Sequence, residues 1–146
     1  TQKVDWKNLD FIIVDMPPGT GDTQLTFAQE IKVDGAIIVS TPQEIALQDV
    51  IRGIKMFDKL GVKIIGLVDN MSYFTGDDKK KYHIFGEGGV KRTAQQFNKT
   101  FLGEIPLDPD VGKKGDGGKP IVESEPGHEV SKIYKNFAEK IKSSYL

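Results

Sequence analysis

The sequence predicts an α/β fold, a mostly parallel sheet with helices on both faces, and a few observations carry that expectation. Short β-branched apolar runs alternate along the chain with amphipathic stretches of helical period. The runs are apolar at consecutive positions, the pattern of strands covered on both sides. Strand, helix, strand in repeated order builds right-handed βαβ units and hence a parallel sheet.

Taken in order, "LDFIIVD" (9–15) reads as the first strand and ends in Asp15. Residues 22–32 read as a short helix with Asp22 or Thr23 as N-cap and Leu25, Ala28 and Ile31 on one face. "GAIIVS" (35–40) is the next strand. Residues 43–60 follow as a helix with Leu47, Val50, Ile51, Ile54 and Phe57 at helical spacing, closed by Gly61 just past its end. "KIIGLVD" (63–69) is a third strand, 89–98 a helix, "TFLGEI" (100–105) a fourth strand, and 127–143 a last helix with Val130, Ile133, Phe137 and Ile141 inward. Two stretches fit neither pattern, 70–88 and 106–120, both rich in Gly, Asp and Lys. Each follows a run that ends at the carboxyl edge of the sheet, where open α/β sheets bind ligands.

The totals narrow the function classes. With 146 residues the chain has the size of one domain, and no linker divides it, so 1–146 is expected to be a single unit. A formal charge of -1 gives no bulk basicity, which argues against nucleic acid as a partner. There are no cysteines, so disulfides, thiolate metal sites and a Cys nucleophile are excluded in this chain. The apolar runs are too short to span a bilayer and the first residues lack the apolar core of a signal peptide, so no membrane partner and a cytoplasmic location are expected.

The stretch "DFIIVDMPPGTGD" (10–22) carries the most chemistry. A carboxylate at the end of a buried strand is where nucleotide-hydrolysing proteins hold Mg²⁺, and a glycine shortly after lets backbone N–H approach a γ-phosphate. Asp15 and Gly19 fit those roles. Read from the residues alone, Asp15 is explained first as the end of a strand before a tight Pro-Pro-Gly turn. Asn70 closes "GLVDN" and could read a base edge, since an amide both donates and accepts, or could cap a turn. His83 and His128 have no second histidine or cysteine at helical spacing and read as surface or turn residues. Lys79, Lys80 and Lys81 beside Asp77 and Asp78 read as a solvated loop tip.

As a whole, "VDMPPGTGDTQLT" resembles the Walker B and switch II segment of the Mrp/NBP35 family of P-loop ATPases, grouped with MinD, ParA and the nitrogenase iron protein. The likeness continues, in the family's order, through "STPQEIALQDVIRGI", "GLVDNMSYF", "IFGEGG", "FLGEIPLDPDV" and "GGKPIV". It implies that Asp15 is the Walker B aspartate that binds Mg²⁺ directly or through water, and that Gly19 is the switch II glycine. It implies that Asn70 hydrogen-bonds adenine, with Pro106 and Asp108 in the loop beside the base. The implied protein is a homodimer that uses ATP and Mg²⁺ to assemble iron–sulfur clusters or pass them to recipient proteins.

The chain departs from that pattern in two ways. It has no G-x-x-x-x-G-K-[ST], so the resemblance implies the C-terminal part of such an ATPase, one that does not hydrolyse ATP alone. The loop where many members carry C-x-x-C reads "TGDDKKKYH", with no thiolate for a cluster. Two other readings stand beside this one: a MinD/ParA-type positioning ATPase, whose attachment helix would be the basic tail, and a non-catalytic interaction module. Without a central strand between them, 9–15 and 35–40 are expected to pair with each other or with another chain.

Overall fold

The structure is a computed structural model, and it describes residues 4–5, 7–17 and 21–145. After an extended segment come α1 (Asp22–Glu30), β1 (Ala36–Ser40), α2 (Glu44–Leu60) and β2 (Ile64–Asn70). A small hairpin, β3 (Phe74–Thr75) and β4 (Lys81–Tyr82), precedes α3 (Gly89–Gln96) and β5 (Phe101–Ile105). The chain finishes with α4 (Pro109–Asp116), α5 (Ile121–Ser124) and α6 (Glu129–Lys142).

Strands β1, β2 and β5 form a parallel sheet in the order β1-β2-β5. Successive residues of a strand point to opposite faces, and β2 shows it directly. Leu67 joins Leu47, Val50 and Ile54 of α2 and Val90 and Ala94 of α3 in one core. Val68, the next residue, joins Leu102, Ile105, Ile121, Val130 and Phe137 in a second core under α5 and α6. Helices therefore cover both faces at β2 and β5, while Ile37 and Val39 leave one face of β1 exposed.

The helix ends follow local chemistry. Gly61 closes α2 at φ 69, a left-handed geometry that costs glycine little, and its N–H bonds back to Asp58 O at 3.2 Å. At α1 the N-cap is Gly21, where Asp22 or Thr23 was expected, and the helix stops at Glu30, before the expected end at 32. Gly89 opens α3 against the β1–α2 loop and the first turn of α2: a Cβ there would lie 2.5 Å from Pro42 O and 2.8 Å from Leu47 Cδ1. Gly89→Ala must push α3 off that backbone oxygen, with an expected loss of about 1–3 kcal/mol in urea unfolding.

The expected strand at 9–15 is not formed. Residues 9–15 are unpaired and exposed, with Ile13 93% accessible, and they do not pair with β1. A run apolar on both faces becomes a strand only where neighbours on both sides complete its ladder and cover it. Among the described residues nothing supplies those neighbours. One side of β1 is likewise a sheet edge, and Val39 on it is 57% exposed.

Residues 106–120, expected to be irregular, hold α4. Asp108 caps it, accepting from Asp110 N–H at 2.9 Å, and Pro109 occupies the first turn. That pairing is a standard helix start, and Gly112 and Gly115 inside the helix conceal it in the sequence. The 70–88 stretch likewise folds into the β3–β4 hairpin, whose turn carries Lys79 at φ 61.

Candidate functional site

The sheet ends at Ser40, Asn70 and Ile105, and two cavities open around that edge. One, of about 370 Å³, is lined by Asn70 and Met71 from the end of β2, Ile105 to Pro109 from the end of β5, Val111 and Gly112 of α4, and Tyr134 of α6. Its walls are apolar with few polar groups, the usual make-up of a small-molecule site. Three of the expected nucleotide residues, Asn70, Pro106 and Asp108, meet here although 36 and 38 positions separate the latter two from Asn70.

Backbone pairing holds the two lips of this cavity together. Ser72 donates to Ile105 O from its N–H at 3.0 Å and from its hydroxyl at 3.1 Å, and Leu107 N–H donates to Tyr73 O at 2.7 Å. These bonds continue the β2–β5 ladder past its last formal pair, Asn70 and Ile105. Met71 then turns the chain at φ 52. The amide of Asn70 is therefore presented by a strand end, which positions it better than a free loop would.

Asp108 is more committed than Asn70. One carboxylate oxygen caps α4 and the other lies 3.6 Å from His128 Nε2, while His128 Nδ1 accepts from Val130 N–H at 3.3 Å and so caps α6. Asp108, Asp110 and His128 bring ligand-type atoms within 4.8 Å of one another. A cation there would compete with the Asp110 N–H for the Asp108 carboxylate that caps α4, and the imidazole would have to give up the Nε2 proton that faces Asp108.

Asp15 lies in the extended segment, exposed, and lines neither cavity. The segment is tied to α1 where Gln24 Nε2 donates to Pro17 O at 2.8 Å. Gly19 falls outside the described residues. Mg²⁺ is held by one or two carboxylates together with substrate phosphates. A single exposed Asp15 is compatible with the first part, but the chain has no Walker A segment to cradle the phosphates. The donors present therefore fit the base end of a nucleotide better than its phosphate end.

The second cavity, of about 500 Å³, lies on the α3 side and is lined by Glu87, Gly88, Lys91, Arg92, Gln95 and Glu104. Arg92 is already used, donating to Glu87 O at 2.7 Å with Glu44 at 3.8 Å. Next to Glu104 across the sheet sits Asp69, fully buried, with neither carboxylate oxygen hydrogen-bonded among the described residues. Burial first, and the Glu104 carboxylate second, push its pKa from 3.8 up to about 6, with His83 opposing. Sequence reasoning passed over Asp69, although an acid inside "IIGLVDN" was a visible anomaly.

The hairpin loop offers no cluster ligands. The chain contains no cysteine, His83 Nδ1 donates to Ser72 O at 3.0 Å, and its Nε2 lies 3.7 Å from Glu87. Asp78 caps the turn, bonded by Lys80 N–H at 3.0 Å and by the Tyr82 hydroxyl at 3.0 Å; the Lys80 bond heads the causes that lower its pKa. Iron–sulfur clusters are held by thiolates, so these residues do not fit one.

Comparison with known proteins matches the chain to a family. The ParA family, described as NUBPL iron-transfer P-loop NTPase, matches residues 1–142. The chain is 46% identical over 134 residues to the iron-sulfur cluster carrier protein of Aquifex aeolicus, covering 91% of this chain and 37% of that one. It is 49% identical over 142 residues to the iron-sulfur protein required for NADH dehydrogenase, mitochondrial, of Arabidopsis thaliana, covering 97% and 45%. Among solved structures it resembles the nucleotide-binding protein of Archaeoglobus fulgidus in complex with ADP, at TM-score 0.64 and 40% identity over 71% of this chain and 43% of that one. The chain thus spans less than half the length of these relatives. With the parallel sheet, the cavity at its carboxyl edge and a match over nearly its whole length, the chain belongs to the ParA family of NUBPL iron-transfer P-loop NTPases.

Proposed function

We propose that this chain forms the base-binding part of an ATP-dependent iron–sulfur cluster carrier, the C-terminal part of its P-loop ATPase domain. One observation supports this most: Asn70, Pro106 and Asp108, far apart in sequence, line a single apolar cavity at the carboxyl edge of the sheet. In this reading Asn70 reads the adenine edge, Pro106 and the neighbouring apolar residues pack on the ring, and Asp108 fixes the loop by capping α4. Asp15 binds Mg²⁺ and Gly19 approaches the γ-phosphate once a phosphate cradle is present. The names of the Aquifex aeolicus and Archaeoglobus fulgidus proteins, a cluster carrier and an ADP complex, agree with this reading.

The phosphate cradle and the cluster thiolates are not in these 146 residues, so hydrolysis and cluster transfer belong to a longer protein or an assembly. Within that protein the cluster is cargo for recipient proteins. A homodimer and a cytoplasmic setting complete the proposal. Among the described residues no helix is long and apolar enough to cross a membrane.

The positioning-ATPase alternative needs a free apolar face on the tail. Helix α6 instead buries Val130 and Phe137 against β5 and α5, which leaves no such face for a membrane. The interaction-module alternative is separated by binding. Asn70→Ala is expected to weaken adenosine binding by roughly fivefold or more, from the loss of about 1 kcal/mol per hydrogen bond. Equal titration curves for the variant and the unmodified chain would remove Asn70 from the site.

A further inference from the structure

The base pocket lies between two helices whose first residues touch each other. Helix α4 supplies Pro109, Val111 and Gly112 to its wall, and α6 supplies Tyr134. Asp108 is the N-cap of α4 and His128 is the N-cap of α6, and the two side chains meet at 3.6 Å. Each cap spends one atom on its own helix: Asp108 Oδ1 on Asp110 N–H and His128 Nδ1 on Val130 N–H. Because Nδ1 accepts, the neutral ring carries its proton on Nε2, the atom that faces Asp108 Oδ2. Each residue is thus bifunctional, capping one helix and reaching the other.

A second tie runs alongside. Lys114 Nζ, on α4, lies 2.6 Å from Glu125, three residues before His128. That pair is the shorter of the two but closes at the far end of α4, whereas the Asp108–His128 contact, more sheltered though longer, lies at the pocket end. Helix α6 is fixed from beneath by the buried Phe137, while α4 rests on the same core through the half-buried Val111 and has no fully buried side chain. The position of α4 relative to Tyr134 therefore depends on its caps and ties as well as on the packing of Val111.

We propose that the Asp108–His128 contact is a latch that sets the spacing of α4 and α6 to the thickness of a flat heteroaromatic ring, so that His128 is a positioning residue for purine binding at Tyr134. This rests on the nucleotide reading of the pocket. The latch acts on affinity, and its loss opens the pocket without unfolding either helix. Ring stacking against an aromatic wall falls steeply with a small gap, which is why spacing matters.

Two substitutions separate latch from cap. Asn is a strong N-cap and places an oxygen where Nδ1 stood, but it is too short to reach Asp108, so His128→Asn keeps the cap and cuts the latch. Gln places an N–H where Nε2–H stood, so His128→Gln keeps the latch and forfeits the cap. Adenosine binding to the chain by NMR titration, with thermal melting beside it, is the readout. His128→Asn is expected to melt like the unmodified chain and to bind adenosine roughly five- to tenfold more weakly, whereas His128→Gln melts lower and keeps its affinity. Unmodified chain that binds adenosine with both variants equal to it in affinity overturns the latch alone. The reverse order, with Gln weaker than Asn, also overturns it. No adenosine binding by the unmodified chain overturns the nucleotide reading and the latch together.

Discussion

Asp69→Asn raises the stability of the chain by up to about 3 kcal/mol at about pH 8 and changes it little near pH 4, where the wild-type carboxyl is already largely protonated. The asymmetry follows from burial without partners: Asp69 is fully enclosed, neither oxygen is hydrogen-bonded among the described residues, and its pKa stands at about 6 against an ordinary 3.8. Between those two values the folded chain holds a proton that the unfolded chain has released. Below them both forms are protonated and no penalty exists. Above them both are ionised, and the folded form carries the whole cost of an enclosed charge beside Glu104. Wild-type stability is thus lost as pH rises through that window, and the amide, which cannot ionise, escapes the loss. Urea unfolding at the two pH values reads it out; an equal difference at both would mean that Asp69 is not penalised when charged.

Phe137→Ala is expected to cost about 3–5 kcal/mol, a large share of the total stability of a domain this size. The ring packs close to the β5 backbone: a Cβ on Gly103 would lie 2.9 Å from Phe137 Cε1, so a side chain at 103 would displace it. It anchors α6 in the core with Val68, Leu102 and Ile105, and the same helix carries Tyr134 to the cavity. The variant should therefore lose adenosine affinity as well as stability, in contrast to His128→Asn, which should lose affinity alone. A denaturation midpoint close to wild type would show that α6 is held by something other than this core.

Much of the fold was legible because the relevant signals are local. The β-branched runs at 36–40, 64–70 and 101–105 became the sheet, and the long helical period of 44–60 became α2 with Gly61 as its stop. The run at 9–15 shows where local signals end. Its residues are as strand-like as those of β1, but a strand is a property of a pair, and here no ladder partner lies beside it among the described residues. Helix α4 was hidden for the opposite reason: its interior glycines contradict the Asp108-Pro109 start, and the cap prevailed.

The site divided in the same way. Asn70, Pro106 and Asp108 were indicated by family resemblance, and the fold brings them to one cavity because β2 and β5 are neighbours. What the sequence could not convey is that both Asp108 oxygens are engaged, or that a histidine with no second histidine or cysteine at helical spacing meets an aspartate from another helix. Those are consequences of packing, invisible to spacing along the chain. Asp69 differs, since an acid within an apolar run is an anomaly visible in the sequence itself, and the fold buries it completely.

The central claim is that the carboxyl-edge cavity takes a purine base. It is tested most directly by titrating adenosine into the isotope-labelled chain and mapping the backbone amide shifts. The account predicts saturable shifts gathered at Asn70, Met71, Leu107, Asp108, Val111 and Tyr134, with the Glu87–Gln95 side of the molecule unmoved. Absence of saturable shifts, or shifts centred on Glu87, Lys91 and Arg92, would contradict it.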